Sequence, residues 1–209
     1  MREYLLVMLT AAATTYLLSG LCRAIAIRFG IEAQIRVRDM HTRPTPYLGG
    51  VAMFGGVAMA FLLGSMMPFL GRHQVVSRDS LGILAAGAVI CLVGVIDDII
   101  DLPAIAKAAG QVLAAGVAVL FGVRMYWISL PNQIIALDQA TSIIITVVFI
   151  FVCVNAINVM DGLDGLAAGV VAIGASAMFT YTYVLAREQN LVVATTASLV
   201  TATTTGVCL

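Results

Sequence analysis

Charged residues are scarce in this chain. They make up 11% of its 209 residues, whereas hydrophobic residues make up 61% and the mean hydropathy is +1.05. A soluble domain carries about 25% charged residues, because most of its surface must face water. The composition therefore excludes an ordinary soluble domain.

Basic residues are few and dispersed. The chain has one lysine, Lys107, and a formal net charge of +0. A nucleic-acid binder concentrates Lys and Arg on one face or in one block, so we expect no nucleic-acid partner. The four cysteines lie within apolar segments, where free Cys packs as a small hydrophobic side chain. We expect them to be buried and to form no disulfide bonds.

Long apolar runs follow one another with short polar joints. Their lengths are near the roughly 20 residues that a helix needs to cross the hydrocarbon core, and they lack the alternation of a membrane β-barrel. The pattern predicts an all-α, polytopic membrane bundle that forms a single transmembrane domain over residues 1–209. Seven spans are predicted: Tyr4–Ile27, Gly49–Leu70, Leu81–Ile99, Pro103–Val123, Ala140–Asn155, Leu163–Ala186 and Leu191–Leu209.

The distribution of arginine favours one orientation in the membrane. Cytoplasmic loops are enriched in Lys and Arg, and the first predicted loop contains Arg28, Arg36, Arg38 and Arg43. This loop is expected in the cytoplasm, with the N-terminus outside. Alternation of the spans then places residues 97–103 and 155–165 on the cytoplasmic side. The outer segment 122–138 is expected to be an interfacial aromatic belt or a short hairpin.

The first acidic cluster ends the third span. Asp97, Asp98 and Asp101 are spaced to share one side of a helix end, where carboxylates repel one another unless a cation lies between them. Hard oxygen ligands suit Mg²⁺ or Mn²⁺, which also bind substrate phosphates. The cluster therefore indicates a metal and phosphate site in preference to a solvated helix end. Lys107 is expected either to pair with Asp101 or to contact phosphate.

The second cluster has a polar residue at every third position: Asn155, Asn158, Asp161 and Asp164. On a regular helix, four residues at this step drift around half of the circumference. Gly162 and Gly165 permit a helix break or the close approach of a ligand. We expect a spanning helix to end near Asp161, followed by a tight turn and a new helix.

The first loop offers hydrogen-bond donors. Arg38, His41 and Arg43 are candidates for binding a diphosphate or a lipid phosphate, although basic residues at a lipid interface are also common for topological reasons alone. Gly49 and Gly50 follow at the start of the second span. They allow close packing of that helix or close approach of a ligand.

Three motifs occur in order along the chain: Arg38-Asp39-x-His41-x-x-Pro44-Thr45-Pro46-x-x-Gly49-Gly50, Asp97-Asp98-x-x-Asp101-Leu102 with Lys107 and Gln111, and Asn155-x-x-Asn158-x-x-Asp161-Gly162-x-Asp164-Gly165-Leu166-Ala167. Together they resemble the polyprenyl-phosphate N-acetylhexosamine-1-phosphate transferases, over about residues 4–209. Asp101 resembles the WecA/TagO-like branch, since the MurNAc-pentapeptide (MraY-like) branch usually has Lys there.

The resemblance implies an enzyme of the cell membrane that works at the cytoplasmic face. UDP-GlcNAc and polyprenyl phosphate would give polyprenyl-diphospho-GlcNAc and UMP, with Mg²⁺ or Mn²⁺ as cofactor. Asp97 and Asp98 would be the catalytic pair, one acting on the lipid phosphate and the other helping to hold metal. The remaining implied residues are Asp161 at the metal and diphosphate, Gly162, Leu163 and Asp164 at the uridine, Asn155, Asn158, Lys107, Arg38, His41 and Arg43 as further substrate contacts, and Asp101 in support.

The resemblance is to the front portion of such enzymes. Family members carry a further metal-binding Asp in a Gly-Asp-x-Gly-Ser motif and a later His-rich motif, and neither occurs in these 209 residues. We therefore expect an N-terminal part of a longer enzyme that is inactive alone, and a homodimer is left open. The alternatives are an MraY-like transferase, a non-catalytic subunit, and a transporter, although transporter sites lie near the midplane of the bilayer.

The resemblance generates a prediction for Asp164. Replacing Asp164 by Ala in the complete protein removes a charged acceptor for the nucleotide, so the KM for the UDP-sugar should rise about tenfold or more. Steady-state kinetics with each substrate varied in turn would measure this. A change confined to the affinity for the lipid substrate would contradict the assignment.

Overall fold

The computed structural model describes residues 2–30, 48–68, 70, 78–131, 133–160 and 165–189, together with residues 197, 199–200, 203–204 and 207–208. Within these ranges the chain forms helices and one hairpin in the order α1 (Arg2–Phe29), α2 (Gly49–Met66), α3 (Arg78–Ile100), α4 (Ala104–Leu120), β1 (Trp127–Leu130), β2 (Gln133–Ala136), α5 (Gln139–Met160) and α6 (Leu166–Gln189).

The helices are built for a lipid environment. Five of them are long and apolar enough to cross a membrane, namely α1, α2, α3, α5 and the segment Leu166–Leu185 of α6. Large apolar side chains point outward from them: Leu17 is 71% exposed and Ile173 is 74% exposed. Contiguous apolar surface on this scale is unfavourable in water. The protein is an all-α, multi-pass membrane protein, as predicted.

The number of spans differs from the prediction. The fourth predicted span, Pro103–Val123, corresponds to α4, which has only 17 residues and is shorter than the five candidate spans. The seventh, Leu191–Leu209, lies mostly outside the described residues, so seven spans are not confirmed. The predicted span Ala140–Asn155 stopped too early, but α5 ends at Met160, beside Asp161, where the second cluster predicted the helix to end. Asn155 is accommodated inside the helix, since its side chain finds hydrogen-bond partners there.

Helices α1, α2 and α6 share a small core at one end of the bundle. Tyr4 of α1 lies with its ring centroid 5.7 Å from the rings of both Phe179 and Tyr183 of α6, and Phe61 of α2 is buried in the same cluster. Aromatic rings at these distances attract each other beyond the effect of burial alone. Residues near the start of α1 therefore pack against α2 and α6.

Helix α4 packs between α3 and α5. It approaches α3 closely at Gly110, where a Cβ atom would lie 2.8 Å from the side-chain methyl groups of Val93. Only glycine permits this approach without a shift of one helix. Because α4 contacts both neighbours, it connects the helix that ends in the first acidic cluster to the helix that leads to the second.

The four cysteines are free thiols with different environments. Cys22 is buried in α1, as expected, whereas Cys91 and Cys208 are partly exposed and Cys153 is exposed on α5. The expectation of buried cysteines was therefore wrong for Cys153. A thiol on the surface of an apolar helix is compatible with contact with lipid or with protein, because free Cys behaves as a small hydrophobic side chain.

The segment between α4 and α5 is a short antiparallel hairpin. Its register pairs Trp127 with Ala136 and Leu130 with Gln133, which confirms the hairpin that the sequence offered as one of two alternatives. The base of the hairpin is tied to α5, because Thr146 Oγ1 accepts a 2.9 Å hydrogen bond from the Met125 N–H and the Ser142 hydroxyl donates to the Met125 carbonyl. The hairpin is therefore anchored at one end of the bundle.

Asp138 caps the start of α5. Its carboxylate accepts hydrogen bonds from the Thr141 hydroxyl and from the backbone N–H groups of Ala140 and Thr141. These donors, the Thr141 hydroxyl first among them, lower the pKa of Asp138 below its ordinary value. A cap of this kind satisfies N–H groups that have no partner within the helix.

The lowered pKa of Asp138 gives a pH-dependent prediction. The carboxylate stabilises the folded protein fully above its unfolded-state pKa of about 4, and this contribution disappears as the pH falls through the lower folded-state value. Asp138→Ala in the complete protein should thus lower the thermal midpoint in detergent by a few degrees at pH 7, and by less below pH 4. The neighbouring exposed Gln139→Ala is the control, and an Asp138→Ala effect that grows on acidification would contradict the assignment.

Candidate active site

Asp97 and Asp98 lie in the last turn of α3. The helix ends two residues later, and Asp101 follows in the left-handed conformation with φ of +53°. Asp adopts this conformation more readily than most residues that carry a side chain. The Asp101 N–H donates to the Asp97 carbonyl at 2.8 Å, which closes the final turn. Asp101 therefore ends the helix so that the adjacent acids stand at its tip.

Lys107 bridges the turn between α3 and α4. Its Nζ lies 2.9 Å from Asp97 Oδ1 and 3.8 Å from Asp101 Oδ1. The sequence left open whether Lys107 pairs with Asp101 or contacts phosphate; it meets Asp101, but its closer partner is Asp97. The Lys107 side chain is 39% exposed, and that of Asp97 is 27% exposed. The pair is therefore partly shielded yet reachable from outside the bundle.

The two adjacent acids have different partners. Asp97 Oδ1 accepts the Leu102 N–H at 3.0 Å in addition to the Lys107 ammonium group. Asp98 points towards α2, where its Oδ2 accepts the Leu48 N–H at 3.1 Å. Each carboxylate therefore uses one oxygen to hold the fold, which leaves a second oxygen on each for other contacts.

Leu48 brings the end of the first loop to the acid pair. It has a φ of +76°, in a region that bulky residues rarely occupy and that is typical of functional sites when it occurs. Gly49 and Gly50 follow, and among the described residues a Cβ on either would meet nothing within 4 Å. Packing among the described residues therefore does not account for these glycines.

The second cluster is described up to the end of α5. Asn155 Nδ2 donates to Gln111 Oε1 at 2.7 Å and to the Phe151 carbonyl at 2.8 Å, while Asn158 is exposed. The predicted break is present, since α5 ends at Met160 and Gly165 has a φ of +74° immediately before α6. The cluster therefore begins on a helix that contacts α4 and ends in a turn.

Seven predicted site residues lie outside the described residues. They are Arg38, His41 and Arg43 of the first loop and Asp161, Gly162, Leu163 and Asp164 of the second cluster. Their roles stay predictions. Asp97, Asp98, Asp101 and Lys107 are brought together at one helix turn, and Asn155 is linked to the same region through α4.

The carboxylate oxygens of the acid pair are of the chemical type that binds a divalent cation. Within the described ranges, no group of three or more His, Cys, Asp or Glu side chains is arranged to hold a metal ion. Asp98 retains one carboxylate oxygen beyond its bond to Leu48, and hard oxygen donors of this type fit Mg²⁺ or Mn²⁺. A metal at Asp97 would share that carboxylate with Lys107, so Asp98 is the better placed of the two.

Two interactions were not predicted from the sequence. The bond from Leu48 to Asp98 uses a backbone N–H, which has no signature in residue identity. Gln111 was noted only as part of a motif, and its bond to Asn155 was missed. A signal for it existed, because Gln111 lies four residues after Lys107 on a helix that is otherwise apolar.

Comparison with known proteins identifies the family of the chain. Residues 80–209 match the model of glycosyl transferase family 4. The chain is 44% identical over 193 residues to a decaprenyl-phosphate N-acetylglucosaminephosphotransferase of Mycolicibacterium smegmatis, covering 91% of this chain and 48% of that protein. It is 32% identical over 165 residues to a probable undecaprenyl-phosphate N-acetylglucosaminyl 1-phosphate transferase of Bacillus subtilis, covering 78% of this chain and 44% of the relative.

The muramoyl branch is more distant. A phospho-N-acetylmuramoyl-pentapeptide-transferase of Mycobacterium sp. strain KMS is 28% identical over 207 residues, covering 88% of this chain and 58% of that protein. The chain spans about half the length of the curated relatives it matches. The family match covers well over half of the chain and includes both Asp97 and Asp98. The chain belongs to glycosyl transferase family 4.

Proposed function

We propose that the complete protein transfers GlcNAc-1-phosphate from UDP-GlcNAc to polyprenyl phosphate, releasing UMP and forming polyprenyl-diphospho-GlcNAc. The observation that carries this proposal is the pair Asp97 and Asp98 at the tip of α3, next to Lys107, in a chain of glycosyl transferase family 4. The greater similarity to a decaprenyl-phosphate N-acetylglucosaminephosphotransferase than to the muramoyl enzyme favours GlcNAc as the sugar.

The arrangement suits phosphoryl transfer, which depends on positioning and on neutralising charge more than on covalent work by the protein. Asp98 has one oxygen held by Leu48, so its carboxylate is fixed and its other oxygen is available to orient the lipid phosphate or to accept its proton. Lys107 contributes a fixed positive charge beside the pair. A bound Mg²⁺ or Mn²⁺ ion would neutralise the negative charge of the diphosphate.

The position of the acids at a helix end also supports a site at the membrane surface. A polyprenyl phosphate keeps its chain in the bilayer and its phosphate at the boundary with water, and a UDP-sugar arrives from the aqueous side. Acids at the end of α3 meet both substrates without crossing the hydrocarbon core. The excess of arginine in the first loop favours the cytoplasmic face for this site, and a carrier would instead place its acids near the midplane.

The direct test is release of UMP by the complete protein in detergent. We expect release with polyprenyl phosphate, UDP-GlcNAc and Mg²⁺, and loss of activity when the metal is removed with a chelator. UDP-MurNAc-pentapeptide in place of UDP-GlcNAc is the matched control. Release with the muramoyl donor alone would assign the protein to the other branch, and no release with either donor from folded protein would support a non-catalytic subunit.

Asp98 allows a sharper test, because an amide can replace its structural contact. Asp98→Asn keeps a carbonyl oxygen to accept the Leu48 N–H but has no negative charge, so it cannot take up a proton and binds a cation more weakly. Membrane insertion and thermal stability should stay close to those of the parent protein, whereas kcat should fall by about a hundredfold or more.

The control for Asp98 lies on the same helix. Asp79, in the first turn of α3, is at the opposite end of the span, so Asp79→Asn should change kcat by no more than about twofold. Turnover retained in Asp98→Asn would remove this carboxylate from the reaction.

A further inference from the structure

Helix α4 carries only two polar side chains, Lys107 and Gln111, in a 17-residue sequence that is otherwise made of Ala, Gly, Val, Leu and Ile. Residues four apart lie on adjoining turns of one helix face. Lys107 reaches Asp97 of α3, and Gln111 reaches Asn155 of α5. Both polar groups of this helix are therefore used to contact the two helices on either side of it.

The contact between Gln111 and Asn155 is specific. Asn155 Nδ2 has two hydrogens, and it donates to Gln111 Oε1 at 2.7 Å and to the Phe151 carbonyl at 2.8 Å. Both donors are thus satisfied within the protein. A polar side chain in lipid is costly unless it is paired, and a pair between neighbouring helices favours one rotation and one depth of each.

We propose that Gln111 is a positioning residue for the transfer reaction, and that it acts by holding the Asn155 turn of α5 in register with the acid pair of α3. The proposal rests on the proposed function above. It assigns Asn155 to the protein scaffold through its Nδ2 group, whereas the sequence had suggested a direct substrate contact. Asn158, one turn further along α5 and exposed, remains available to substrate.

Helix α4 is fixed against both of its neighbours, α3 and α5. Gly110 lets α4 pack closely against Val93 of α3, and the ion pair of Lys107 with Asp97 fixes the depth of α4 on that side. On the other side, Gln111 and Asn155 set the depth of α5. A slip of one residue moves a helix by about 1.5 Å, and a misplacement of about 1 Å lowers a rate by up to about a hundredfold.

The test exchanges the two amides. Gln111→Asn shortens one side chain of the pair by a methylene group, and Asn155→Gln lengthens the other by the same amount. Each substitution alone should therefore break the hydrogen bond. The double variant restores the total length of the pair. In the complete protein, we expect each single variant to lower kcat about tenfold with little change in the KM for UDP-GlcNAc. The double variant should recover to within about threefold of the parent, as expected for directly coupled residues.

Matched controls separate positioning from loss of folding. Gln139→Leu alters an exposed glutamine at the far end of α5 and should leave kcat unchanged. Gln111→Leu keeps the size of the side chain without its hydrogen bond, so it should reduce kcat of the folded protein while the thermal midpoint falls only slightly. A lower midpoint with unchanged kcat would show that the pair is merely structural.

Hydrogen exchange measured by mass spectrometry gives a reading that does not need turnover. Gln111→Leu should speed amide exchange in the cytoplasmic ends of α4 and α5, and the exchanged pair should restore it. If the parent protein releases no UMP with any donor, the proposed function fails while this exchange pattern still tests the contact. Additive effects of the two single variants, with no recovery in the double variant and no change in exchange, would overturn the positioning role.

Discussion

An ion pair between Asp97 and Lys107 closes the turn between α3 and α4. A lone, partly buried charge at the end of a membrane helix is costly, whether it is the carboxylate or the ammonium group, and each group therefore stabilises the other. The Leu102 N–H adds a second hydrogen bond to the same carboxylate oxygen. The direction in which α4 leaves α3, and hence the position of Gln111 and α5, depends on this contact.

The same arrangement gives adjacent acids unequal roles. Asp97 is turned towards α4 and is held by a cation, while Asp98 is turned towards α2 and is held by a neutral backbone N–H. Two neighbouring carboxylates with the same charge repel each other. Lys107 offsets that repulsion on one side, which leaves the Asp98 carboxylate as the group with more freedom to meet a cation or a phosphate.

Structural features that depend on the local sequence were predicted well, whereas contacts that depend on packing between distant segments were not. Apolar runs gave the helices, and the Gly-rich second cluster gave the break before α6, because both follow from the local chain. The span prediction stopped at Asn155, although the second cluster placed the helix end near Asp161 and α5 ends at Met160. The pairing of Asn155 with Gln111 inside the bundle depends on packing and was not predicted. The contact from Leu48 to Asp98 joins residues 50 positions apart through a backbone group, which no residue pattern reports.

Helix α4 is short for a membrane helix. Its 17 residues span about 25 Å, against a hydrocarbon thickness of about 30 Å. A helix shorter than the hydrocarbon core is accommodated by local thinning of the bilayer or by flanking side chains that reach the interface. Lys107 lies in the first turn of this helix and pairs with Asp97, so the length of the surrounding acyl chains becomes a physical variable of the site.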